Sequence, residues 1–169
     1  MIPITNEAQM EIIMNGIIRD VAQTVADKFY EINQEEIERV VYEPYDPKTY
    51  DRTGQFKEAW QKNVKAGGHS VQASLDYEPT AMQFNPDEWQ HGSPISGDAR
   101  MYLADIIYEG ITGTHLFGYG AYSEPRDAFR ELIKKSNKSL DKWIKDELKK
   151  HGIKVTGKNI AGEWGVTLD

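Results

Sequence analysis

Five apolar residues spaced four apart, Ile13, Ile17, Val21, Val25 and Phe29, constrain this chain more than any other feature. With Ile18, Ala22 and Ile32 beside them they draw one stripe along a long helix from about Asn6 to Ile32. Asn6 can cap that helix with its side-chain oxygen, and Glu7 suits the positive end of the helix dipole. Gly16 interrupts the pattern, weakening it slightly or permitting another helix to approach closely. Asn33 is expected to break the run. Glu35 to Val41 then reads as a short second helix or a continuation, with Ile37, Val40 and Val41 at helical spacing.

A chain of 169 residues that opens this way has room for one domain and one modest core. Hydrophobic residues make up 39% and mean hydropathy is -0.64, yet aromatics at 11% keep the composition outside the disordered class. The domain is expected over 1–152, with 153–169 a C-terminal tail ordered by a partner. No apolar run is long enough to span a membrane. Met1 to Glu7 carries no basic segment followed by a cleavable apolar stretch, so export by a signal peptide is not expected.

Pro44 and Pro47 bracket a turn-rich loop, because each proline pushes its predecessor out of the helical region. Thr53 and Gly54 read as a helix start with Phe56, Ala59 and Trp60 on one face. Val71, Ala73 and Leu75 then alternate with Gln72, Ser74 and Asp76 after Gly67-Gly68, which predicts a β-hairpin over 61–77. Residues 78–98, with Pro79, Pro86, Pro94, Gly92 and Gly97, read as a long loop. A third helix is expected from about Asp98 to Glu109, stopped by Gly110. Ser123 can cap a last long helix with Pro125 near its first turn and Gly152 as its left-handed end. The fold class is therefore α+β: long N-terminal and C-terminal helices packed on a small antiparallel sheet, with a long central loop.

Zero cysteines exclude a disulfide framework, thiol catalysis and Cys-ligated zinc. No two of His69, His91, His115 and His151 lie within four residues, so no paired-histidine metal helix exists. A spatial cluster of His91, Asp98, Asp105 and His115 has only composition behind it. The glycine-rich run Gly113 to Gly120 lacks the Gly-Lys-Ser/Thr ending of a phosphate loop. No Gly-x-Ser-x-Gly elbow is present, and the Asp87–Glu88 pair points its carboxylates apart. No enzymatic activity, metal or cofactor is expected.

The net charge of -7 argues against a general nucleic-acid binder, but it is unevenly divided. Residues 1–60 carry 6 Lys/Arg and 12 Asp/Glu, residues 61–124 carry 3 and 8, and residues 125–169 carry 11 and 7. An acidic body thus precedes a basic final helix. Lys134, Lys138 and Lys142 are its candidate contact residues, toward an acidic neighbour or toward DNA phosphates. Interleaved acids, such as Asp141 ahead of Lys145, equally make a solvated helix face. A small metal-dependent enzyme is a further, weaker alternative.

The order of these motifs resembles the head–tail joining, or tail-completion, proteins of long-tailed phages, often called minor capsid proteins. In that family a Thr-Gly-x-hydrophobic-x-x-Ser/Ala-hydrophobic segment follows the first helix, and Thr53, Gly54, Phe56, Ala59 and Trp60 fit it. Tyr50, Arg52 and Thr53 match its Tyr-x-Arg-Thr form. Tyr102 to Gly110 approximates its tyrosine–glycine pattern with stretched spacing, and Pro125 and Phe129 match the opening of its last helix. The resemblance covers roughly residues 6–150. It implies a virion structural protein at the neck, present in the host cytoplasm during assembly. It further implies a homo-oligomeric ring between portal and tail, contacting portal, connector or tail-tube proteins and passing DNA through its lumen.

A ring requires each subunit to offer two different complementary faces. Arg52, Thr53 and Gly54 are interface candidates, although capping and turning explain Thr53 and Gly54 locally. Phe84 and Trp89 in the central loop are candidates too, either as partner contacts or as a cluster tucked beneath the loop.

Overall fold

In a computed structural model the described residues are 6–44, 53–67, 70–83, 99–110 and 124–156. The chain folds as expected into an α+β arrangement of long helices and a small antiparallel sheet. Helix α1 runs Glu7–Glu36, and Asn6 caps it, its side-chain oxygen accepting from the Gln9 N–H at 2.9 Å.

The expected break at Asn33 does not occur. The helix continues through it into a π-helical turn, Ile37–Tyr42, where the Glu43 N–H reaches the Glu38 carbonyl at 2.8 Å. Burial overrides the weak propensity of asparagine, since Asn33, Glu36, Ile37 and Val41 all face inward.

Helix α2, Gln55–Glu58, is a single turn. Thr53 is not its cap: Gly54 holds that position at φ 73, and the Thr53 hydroxyl accepts from the Gln55 N–H at 3.4 Å. Trp60 does not share the helical face but opens strand β1, Trp60–Gly67, which pairs with β2, Ser70–Tyr77. The predicted hairpin is thus present, with its turn at 68–69 outside the described residues. The loop predicted from residue 78 begins with an ordered 3-10 turn, Pro79–Ala81, in which the Glu78 carboxylate accepts from the Thr80 N–H.

The helix predicted from Asp98 starts as a 3-10 turn, Ala99–Tyr102, and becomes α3 at Leu103–Glu109. Gly110 ends it at φ 74. Helix α4 runs Ala128–Lys150. Asp127 caps it, accepting from the Arg130 N–H at 2.7 Å, so Pro125 precedes the helix rather than starting it. Its far end closes as a Schellman motif, with Gly152 bonded to the Lys149 carbonyl and Ile153 to the Leu148 carbonyl. Gly152 takes φ 79 there, which an L side chain resists.

Two compact units share these elements. One draws its described residues from 1–29, 62–75 and 134–169, the other from 30–61 and 76–133. In the first, Val25, Ala26 and Leu140 are buried, Phe29 meets Trp143 edge-on at 6.1 Å, and Lys62 pairs with Asp27 at 2.5 Å. The second is centred on Trp60, which lies 5.3 Å from Tyr77, 6.1 Å from Tyr108 and 6.4 Å from Phe129 between ring centroids. Phe56, Met82, Ile107 and Leu132 are buried in the same unit, as are Ile37, Val41, Ala59 and Ala128. Such offset and edge-on aromatic pairs add to simple burial.

Candidate assembly surfaces

The first turns of α1 carry apolar residues on too many sides to be a surface helix. Each residue turns the helix by 100°, so Ile12, Ile13, Met14, Ile17 and Ile18 together with Met10 occupy about 240° of its circumference. All but the half-buried Ile17 are exposed, from 39% at Met14 and Ile18 to 72% at Ile12. A helix apolar on most sides belongs in a buried setting, and contiguous exposed apolar surface marks a contact site. The stripe read from sequence is therefore split in function. Val25 lies in the core of its unit, while Ile13 and its neighbours face outward. Gly16 lies on this segment, and a Cβ there would meet nothing within 4 Å, so no close packing among the described residues explains it.

Charge around the segment is mostly acidic. Glu7, Glu11 and Asp20 outnumber Arg19, and His151 reaches Asp20 at 3.4 Å from the end of α4. One turn back along α4, Glu147 accepts from Lys150 at 2.6 Å, and that bond, aided by Thr24, holds its carboxyl below the ordinary value. The hydrogen bond from Lys62 holds the Asp27 carboxyl down in the same way.

The second surface is on α4. Lys134, Lys138 and Lys142 recur every fourth residue and are all exposed, with Lys149 continuing the row. Leu140, Ser136 and Glu147 occupy the opposite, buried side. The structure thus places the three predicted lysines on one accessible basic face. Thr53 and Gly54 belong to the other unit, at the start of α2. Arg52, Phe84 and Trp89 lie outside the described residues.

Sequence reasoning missed two sites. The outward-facing α1 segment is one: the sequence shows an apolar stripe without saying what covers it, although apolar residues on both sides of the stripe, Ile12 and Ile18 above all, carried the signal. The buried polar pair was missed too: Arg39 donates to the fully buried Glu36 carboxylate at 2.5 Å, raising the Arg39 pKa, and Asn33 beside it has both amide atoms unpartnered. Tyr108 buries its hydroxyl without a hydrogen-bond partner, and burial pushes its pKa up.

No group of three or more His, Asp or Glu side chains suited to a metal occurs among the described residues. Nor is any helix among them long and apolar enough to cross a membrane.

These features define an α+β protein that exposes an apolar helix end and a basic helix face. Residues 5–154 match the YomN family, so the chain belongs to it. That family is phage-derived, its namesake coming from a Bacillus prophage. No curated protein and no solved structure matches the chain.

Proposed function

We propose that the chain is a non-catalytic structural subunit of the phage head–tail junction, a neck or tail-completion protein assembling into a ring between portal and tail. The observation that carries this reading is the exposed apolar start of α1. A folded subunit with Ile12, Met14 and Ile18 in water gains by burying them against another protein. Membership in a phage-derived family and the motif order from Thr53 to Phe129 support the same role. Its partners are then further copies of itself and neighbouring portal, connector or tail-tube proteins, and its place is the virion, reached through the host cytoplasm.

The basic face of α4 supplies the second surface that a head-to-tail contact needs. It meets an acidic neighbour surface, so assembly weakens as salt rises. The alternative use of Lys134, Lys138 and Lys142 is phosphate binding, favoured by their regular exposed spacing. Native mass spectrometry of the chain, alone and with neighbouring gene products, separates the two. A ring or a partner-dependent complex supports the junction role. A monomer under all conditions, together with a salt-dependent DNA shift that needs the three lysines, replaces it with the nucleic-acid reading.

A further inference from the structure

Three contacts give the direction of the chain beyond α4. Trp143 stacks edge-on against Phe29, Thr24 hydrogen-bonds Glu147, and His151 lies 3.4 Å from Asp20. Each step of about one turn up α4 is a step of about one turn down α1. The two helices therefore run antiparallel within their unit, and α4 ends where the exposed apolar segment of α1 begins. The Schellman motif at Gly152 delivers the following chain to that place, with Ile153 and Val155 half-buried and Lys154 and Thr156 exposed.

We propose that residues 157–169 of the same chain dock on the α1 face formed by Met10, Ile13 and Ile17, and that this is their binding site in the free subunit. Reach is ample: Asp20 and Met10 are about 15 Å apart along the helix, and thirteen extended residues span up to about 43 Å. The chemistry matches. Ile160, Trp164, Val166 and Leu168 recur at even spacing, so an extended chain presents them on one side. Lys154 and Lys158 precede them, but Glu163 and Asp169 share the segment, so apolar contact rather than charge carries the docking. A tethered segment also acts at a high effective concentration, which favours it over a second molecule. One strand covers only part of the apolar circumference, so Ile12 and Ile18 on the other flanks stay open for assembly. The inference rests on the assembly reading only in that last respect.

The chain contains no cysteine, so two introduced thiols are the only ones present. Ile13→Cys is combined in turn with Ile160→Cys, Trp164→Cys and Val166→Cys in the full chain, and each protein is oxidised at low concentration. At least one pair is expected to give an intrachain disulfide in the monomer, while the same partners combined with Ile12→Cys give little. Interchain dimers alone, no disulfide in any pair, or equal yield with Ile12→Cys would each overturn the proposal. As a second measurement, Trp164→Asp with Leu168→Asp is expected to speed amide exchange in residues 7–18 by roughly tenfold. Unchanged exchange there contradicts docking. A failed cross-link in a subunit that still forms rings removes this inference alone. An intrachain cross-link in a chain that never assembles removes the junction role alone.

Discussion

Asn33 is fully buried with neither amide atom hydrogen-bonded, an arrangement that leaves its desolvation uncompensated. A leucine of similar size removes that penalty and adds apolar contact with the core around Ile37. Asn33→Leu is expected to stabilise the chain by about 1–2 kcal/mol, read as a higher midpoint in thermal unfolding followed by circular dichroism. A lower midpoint would show that the amide has a role other than filling space. Glu36, one turn on, behaves differently, because Arg39 covers one oxygen at 2.5 Å and its guanidinium also lies 3.7 Å from Glu131. Removing Arg39 leaves a buried carboxylate without that support, so Arg39→Ala is expected to destabilise where Asn33→Leu stabilises.

At the scale of elements, helix ends and strand alternation were legible because they depend on neighbours in sequence. Asn6 as a cap, Gly110 and Gly152 as left-handed stops and the alternation Val71, Ala73, Leu75 are local signals, and each element stands where they put it. Asn33 misled because its local preference lost to burial that only the fold supplies. Trp60 misled because four residues of helix are too few to have a face, and beside Phe56 of α2 the tryptophan's ring partners come from β2, α3 and α4. The candidate α4 surface was legible for the same local reason, three lysines at one helical spacing. The α1 surface was not, because an apolar stripe looks alike whether the fold covers it or leaves it open. Gly16 gives the test at this scale. Gly16→Ala adds a Cβ that meets nothing within 4 Å, so the helix gains about 1 kcal/mol of propensity. Greater helicity and a higher melting point in the free subunit are expected; a loss would mean that something in the chain approaches Gly16.

For the whole molecule, charge sets the pH response. Asp27 and Glu147 are held below their ordinary values of 3.8 and 4.5 by bonds from Lys62 and Lys150. A lowered folded-state pKa means that the stabilisation is complete above the ordinary value and is lost as pH falls through the lowered one. Acid is therefore expected to destabilise the chain, and Lys62→Met to reduce the loss in melting temperature between about pH 7 and about pH 3. The Lys62 pair is part-exposed, so its share is at most about 1 kcal/mol. An equal loss in wild type and variant would remove Asp27 from the acid response.

Assembly through the start of α1 is the central claim, and light scattering of the purified full chain measures it directly. The wild type is compared with a variant carrying Ile12→Lys and Ile18→Lys, two exposed positions whose replacement costs the fold little. A closed oligomer is expected for the wild type and a monomer of unchanged helicity for the variant. The same mass for both proteins would contradict the claim.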